Sequence, residues 1–327
     1  MFQRILVPLD GSPRAERAIP LAARLARHSG GSVLLLRVVT HPLDAVASFL
    51  RPPQETEQAV EAQHTQAVSY LEHVARADEL SGVATALQVA DSNPAQTILS
   101  AARLQQVDSI VMCSHGGTAL KHWALGSVAQ SVARHSPVPV LLLPEGEEGA
   151  LSDLLPPAEA RPVHVLVPLD GTAFAEVALL PAACLSAALS APAYGALHLV
   201  VVLSEGDTEQ ERPGQRIEAS QQKAEAYLRA IEHRLQTGDL APLHLRTSSS
   251  VIIGTDVAET LIRLAEQEPT GQKDGQISRY AAMVMATHGR HGAALWAIGS
   301  VTERILEASH LPLLVVRPRQ LTQTDEE

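Results

Sequence analysis

"RILVPLDGS" occupies Arg4–Ser12, and "HVLVPLDGT" occupies His164–Thr172. The run ILVPL is apolar without alternation, which predicts a strand buried on both faces, as in a parallel sheet. Asp10 and Gly11 then turn the chain. Ser12 followed by Pro13 opens a helix, because a serine hydroxyl caps the first N–H groups and proline fits the first helical position. Ile19, Leu21, Ala22 and Leu25 keep helical spacing as far as Gly30, which ends it. A strand, a turn and a helix written twice predict two copies of one α/β fold.

The rest of the chain follows the same alternation. "SVLLLRVV" is a second buried strand, and the Gln- and Glu-rich Gln54–Leu80 predicts an amphipathic helix. "ATALQVA" is a third strand, "NPAQTILSAARLQQ" a helix, "SIVMC" a fourth strand, "GSVAQSVARHS" a helix and "VPVLLL" a fifth strand. Five strands alternating with helices, joined by right-handed crossovers, make a doubly wound parallel sheet. "VPVLLLP" at Val138–Pro144 recurs as "LPLLVVRP" at Leu311–Pro318. The predicted organisation is a first domain over 1–145, an acidic Pro-rich linker over 146–161, a second domain over 162–319 and a polar tail over 320–327. The second copy gains residues within the polar loop Glu266–Tyr280.

Composition narrows the function. The 327 residues are 46% hydrophobic but 3% aromatic, so the cores are aliphatic. The net charge of −11, without a basic stripe interleaved with aromatics, argues against a nucleic-acid partner. No uncharged apolar run of about 18 residues and no signal-peptide pattern is evident, so the expectation is a cytoplasmic protein without a membrane partner. The two cysteines, Cys113 and Cys184, each lie in an apolar run and read as reduced core residues. The histidines lack metal-ligand spacing, so no metal site is predicted.

A second duplicated stretch bears on chemistry. "CSHGGTALKHWALGS" ends the fourth strand at Cys113–Ser127, and "ATHGRHGAALWAIGS" does so at Ala286–Ser300. Nine residues separate Gly116 from Gly126, and nine separate Gly289 from Gly299. Gly116 lets the backbone turn close to a ligand. Gly126 and Ser127 open a helix whose first N–H groups could cradle a phosphate, with Ser127 capping that helix or donating to the phosphate. In a doubly wound sheet this position, with Asp10 beside it, is the switch point beyond the strand ends. Neither a Walker lysine motif nor a G-x-G-x-x-G after the first strand is present.

On these motifs the sequence resembles the universal stress protein family, as a tandem member whose two copies span nearly the whole chain. The resemblance implies a Rossmann-like, adenine nucleotide α-hydrolase-like fold. The family's nucleotide-binding members carry G-x-x-G, nine residues, then G-[ST]; Gly116, Gly126 and Ser127 match, as do Gly289, Gly299 and Ser300. Cys113 and Ala286 replace the first glycine. By resemblance, Asp10 and Asp170 lie against the nucleoside, Pro8 and Pro168 flank adenine, and Val38 and Val202 cover its other side. Ser114, His115, Thr287 and His288 border the phosphates, and Arg290 is within reach of them. Leu9, Met112, Val128, Leu169, Met285 and Val301 complete the two sites.

The expectation is therefore an ATP-binding stress or signalling protein, with Mg²⁺ carried by the nucleotide and little or no turnover. The alternatives are an interaction module without nucleotide, or a slow ATPase or adenylating enzyme. The apolar fifth strands suggest pairing of the two copies into an intrachain pseudo-dimer, with a homodimer of chains as a further association.

Overall fold

The computed structural model describes residues 1–40, 53–115, 125–144, 154, 162–204, 213–266, 280–287 and 299–318. The chain divides into two compact units, residues 1–159 and 160–327. The first unit runs β1 (Arg4–Leu9), α1 (Pro13–Glu16), α2 (Ala18–Ser29), β2 (Ser32–Val39), α3 (Pro53–Val74), β3 (Ala84–Asp91), α4 (Pro94–Leu104), β4 (Ser109–Cys113), α5 (Ser127–His135) and β5 (Val140–Leu143). Its sheet has the order β3-β2-β1-β4-β5, with β1 parallel to both β2 and β4. Chain order reverses beside β1, so the ends of β1 and β4 flank the switch point.

The second unit repeats this plan. It contains β6 (His164–Leu169), α6 (Ala173–Glu176), α7 (Leu179–Ser190), β7 (Ala196–Ser204), α8 (Pro213–Thr237), β8 (Arg246–Gly254), α9 (Val257–Glu266), β9 (Ala282–Ala286), α10 (Ser300–Ala308) and β10 (Leu313–Val316). The order is β8-β7-β6-β9-β10, again parallel about the central strand. Each unit is thus the doubly wound parallel sheet predicted above.

The core is aliphatic, as the composition requires. Ile5, Leu6 and Val7 of β1, and Val165, Leu166 and Val167 of β6, are fully buried between helical layers. β3 is different: it ends its unit's sheet, and Leu87 is 41% exposed. Its apolar residues therefore line an edge rather than a two-sided core.

Two predicted helices need correction. The single helix from Ser12 to Gly30 is two helices with a turn at Arg17, whose N–H bonds to Arg14 O at 3.2 Å. Pro20 is the cause, because it cannot donate to Glu16 O and its ring crowds that carbonyl. The second copy also breaks after Glu176, with its proline one place later, at Pro181, where it cannot donate to Val177 O. The long amphipathic helix stops at Val74, not Leu80; Asp78–Leu80 forms a separate 3₁₀ turn. Finally, Ala173–Ser190 is apolar and long enough to pass as a membrane span by composition. It is the broken α6–α7 pair packed on β6 and β7, with nine of the twelve α7 residues buried. The linker except Leu154 (buried), the tail after Pro318 and most of the 266–280 loop lie outside the described residues.

The Ser12 cap admits a direct test. Ser12 Oγ accepts from Ala15 N at 3.3 Å and donates to Asp10 Oδ1 at 2.6 Å; Thr172 does both in the second unit at the same distances. Ser12→Ala is expected to cost about 1 kcal/mol and lower Tm in calorimetry. Ser12→Thr, which copies the second unit, should stay within about 0.5 kcal/mol of the parent.

Candidate functional site

In the first unit the carboxyl ends of β1, β2 and β4 face the start of α5 and one side of α3 across a cavity of about 830 Å³. That volume lies in the range of small-molecule sites, about 300–1,000 Å³. Pro8, Leu9 and Asp10 line it from β1, Val38 from β2, and Met112, Cys113, Ser114 and His115 from β4. Gly126, Ser127 and Val128 close the opposite side. The structure therefore gathers every described first-unit candidate around one cavity. Gly116, His288, Gly289 and Arg290 lie outside the described residues.

Asp10 has a local task. Its Oδ1 accepts from Ser12 N at 2.9 Å and from Ser12 Oγ, fixing the turn in which Gly11 adopts φ 82°. Asp170 and Gly171, φ 84°, repeat this turn. The carboxylate so held stands at the cavity mouth, where its acceptor character suits a hydroxyl or amine rather than a phosphate.

The Gly-Ser end is built by close backbone approach. Gly126 N donates to Ser114 O at 2.9 Å, and a Cβ on Gly126 would sit 2.9 Å from that same oxygen. Gly299 N donates to Thr287 O at 2.8 Å, with 3.1 Å left for a Cβ. The glycine is thus required where the chain folds back onto the fourth strand, whatever else binds there. Of the two roles the sequence offered Ser127, capping α5 is not the one found: Gly126 is the N-cap, with φ −59° and ψ 144°, and no side chain caps the helix. Ser127 is the first helical residue and is exposed. Gly299 and Ser300 stand in the same relation to α10. The N–H groups of Ser127, Val128 and Ala129 have no intrahelical acceptor, being the first three of the helix, and all three residues line the cavity.

The remaining walls are polar and were not read from the sequence. Arg37 donates to Leu9 O at 3.3 Å and lies 5.9 Å from the centre of the Tyr70 ring. Tyr70 donates its hydroxyl to Glu16 Oε1 at 2.8 Å, and burial first, then Glu16, pushes its pKa up. Gln63 and Gln66 join Tyr70 on the α3 side. A lone arginine inside the apolar run SVLLLRVV was the available signal. In the second unit Tyr227 donates to Glu176 Oε1 at 3.1 Å, and Glu176 also pairs with Arg234. Register matches Arg37 to Val201, since they face Leu9 and Leu169 respectively. Val202 consequently occupies the place of Val38.

Cys113 and Ala286 end their strands at equivalent positions. The Cys113 thiol donates to Arg14 O at 2.8 Å, and burial pushes its pKa up to about 11. Both cysteines are thiols rather than a disulfide, and both are partly rather than fully buried. Ser114 Oγ and His115 Nδ1 lie 3.1 Å apart at the cavity wall. In the second unit Pro168, Leu169 and Asp170 end β6, Met285 and Ala286 end β9, and Thr287 is buried beside Gly299. Thr302 Oγ1, from the first turn of α10 after Ser300 and Val301, donates to Ala286 O at 3.2 Å.

Compared with known sequences, residues 1–144 and 163–317 each match the Universal stress protein family, Usp. The chain belongs to the universal stress protein family. A universal stress protein of Mycolicibacterium smegmatis is 24% identical over 334 residues, covering 96% of this chain and 97% of that protein. A single-unit universal stress protein from Thermus aquaticus is 35% identical over 147 residues, or 44% of this chain and 99% of its own length. Among solved structures, a universal stress protein from Archaeoglobus fulgidus superimposes with TM-score 0.67 at 18% identity, covering 97% of this chain and 99% of that one. The tandem universal stress protein architecture is therefore shared along nearly the full length.

The Cys113 environment makes a measurable statement about reactivity. A thiol raised to about 11 holds about a hundredfold less thiolate at pH 8 than one of pKa 9. Alkylation of Cys113 in the native protein should be slower than that of a free thiol by about this factor, rising as pH approaches 11. Equal rates by mass spectrometry would show that the thiol is not held as described.

Proposed function

We propose that this universal stress protein binds an adenine nucleotide, ATP, in each unit and works as a cytoplasmic stress-response or signalling protein. The observation that carries this reading is the uncapped start of α5 facing the cavity across from β1 and β2. Three backbone N–H groups and a partial positive charge there suit an anion without needing a lysine. The cavity floor between Pro8 and Val38 is apolar and suits a base, while Asp10 suits a ribose hydroxyl or an exocyclic amine. Mg²⁺ would arrive with the phosphates and keep much of its water shell.

The nucleotide acts as a conformational ligand, with little or no turnover. It would contact β1, β4 and α5 on one side and α3 on the other, and so couple these elements beside the Tyr70–Glu16 hydrogen bond that ties α3 to α1. Cys113 is a poor nucleophile, because burial holds its thiol protonated at neutral pH. Pairing of the terminal strands β5 and β10 within the chain, and association of two chains, are part of the same proposal; each strand ends its own unit's sheet and is fully buried.

Calorimetric titration with ATP and Mg²⁺ tests the reading. One nucleotide per unit is expected. Ser127→Glu places a carboxylate at the phosphate end and should remove the first-unit site, weakening it by more than about tenfold. The position is exposed, so Tm should hold. Absence of saturable binding in the parent, or full retention of both sites in the variant, would overturn it.

A further inference from the structure

The two units differ at the other end of the sheet, where no nucleotide reading reaches. On one face of the second sheet, at the amino ends of the strands, lie His164 of β6, His198 of β7, and Arg246, Ser248 and Ser250 of β8. His198 is bracketed by two hydroxyls: Nδ1 is 2.9 Å from Ser248 Oγ and Nε2 is 2.8 Å from Ser250 Oγ. Tyr280, just before β9, brings its ring centre within 5.8 Å of that of His198.

The first unit serves as an internal control, because register matches these positions one for one. Leu34, Ala86 and Gln88 stand where the second unit has His198, Ser248 and Ser250, Ala84 stands in place of Arg246, and Arg4 stands in place of His164. Asp108, which accepts from Gln3 N and Arg4 N ahead of β4, is replaced by Ala281 ahead of β9. The fold is therefore made without the serine-bracketed imidazole, and the second unit has a guanidinium on its outer strand where the first has alanine, while losing a carboxylate. Burial lowers the pKa of both imidazoles, with Arg246 acting further on His164 and His164 on His198. Among the described residues, no carboxylate is recorded against either ring.

The bracketed imidazole has a consequence for donors. A neutral histidine carries one N–H and one bare nitrogen, so one serine donates to the ring and the other accepts from it. The accepting serine keeps its O–H for an outside partner. Ser248 is exposed, and so is Arg246 two residues before it on the same face of β8. An exposed guanidinium two residues from a hydroxyl fixed by the ring, with no carboxylate recorded against the imidazoles among the described residues, suits a tetrahedral oxyanion.

We propose that this face of the second unit is an anion-binding site, for a phosphate-type oxyanion held by Arg246 and Ser248 beside the His164 and His198 rings. It is separate from the strand ends proposed for nucleotide and does not rest on that reading.

The test uses the full chain labelled at histidine, titrated with inorganic phosphate at constant ionic strength set by chloride. Imidazole resonances are followed by NMR, with His198→Leu, the first unit's residue, assigning the His198 signals. Saturable shifts of His198 and His164 are expected at millimolar phosphate, and Arg246→Ala should weaken them at least about tenfold. Arg246 is exposed, so the variant should fold. No saturable shift at these rings, or the same affinity in Arg246→Ala, would overturn the proposal; phosphate bound elsewhere would leave both rings unmoved and counts against it equally.

Discussion

The candidate site depends on one backbone contact, made twice. After the fourth strand of each unit the chain leaves the sheet and returns so closely that a glycine N–H meets the carbonyl of the residue following the strand. Gly126 bonds to Ser114 O and Gly299 to Thr287 O. Only glycine fits the first return without displacing backbone, since a Cβ would lie 2.9 Å from the oxygen it bonds to. This contact fixes where the next helix starts, and so directs its unpaired N–H groups toward the ends of β1 and β2 rather than into solvent. The glycine's structural duty and its proximity to ligand are one geometry. Its presence in a motif is therefore poor proof of ligand, whereas the exposed residue after it is the informative one.

Having two copies in one chain separates what the fold needs from what a site adds. The Asp-Gly-[Ser/Thr] turn occurs in both units with the same distance, 2.6 Å, and the tyrosine–glutamate hydrogen bond occurs in both at 2.8 and 3.1 Å. They belong to the fold: one starts the first helix, and the other ties the long helix to it. Arg37 against Val201, Cys113 against Ala286, and Leu34 against His198 are differences the fold tolerates. The arginine alters the wall of the first cavity, and the histidine makes the far face of the second sheet polar. The two units share a scaffold and differ in electrostatics.

Most of the architecture was legible because it rests on periodicity. Continuous apolar runs announced the buried strands, and helical spacing with Ser12 and Gly30 marked the first crossover. The break at Arg17 was missed because apolar spacing continues through it; the deciding fact is the N–H that Pro20 lacks, four residues after Glu16. A cap was one of two readings of Ser127 because serine favours that position, yet the tight return forces a glycine there and moves serine one place inward. Arg37 and Tyr70 were not found because their meeting joins β2 to α3, a contact that no local pattern encodes. The His198 cluster escaped for the same reason: strands adjacent in space supply residues about fifty positions apart in sequence.

The account's central claim is that the start of α5 is the anion-binding edge of the first-unit cavity. Amide hydrogen exchange with and without ATP measures this directly. The account predicts that nucleotide slows exchange most at Ser127, Val128 and Ala129, whose N–H groups lack intrahelical acceptors. Saturable binding that leaves these three amides unprotected, with protection confined elsewhere, would contradict it.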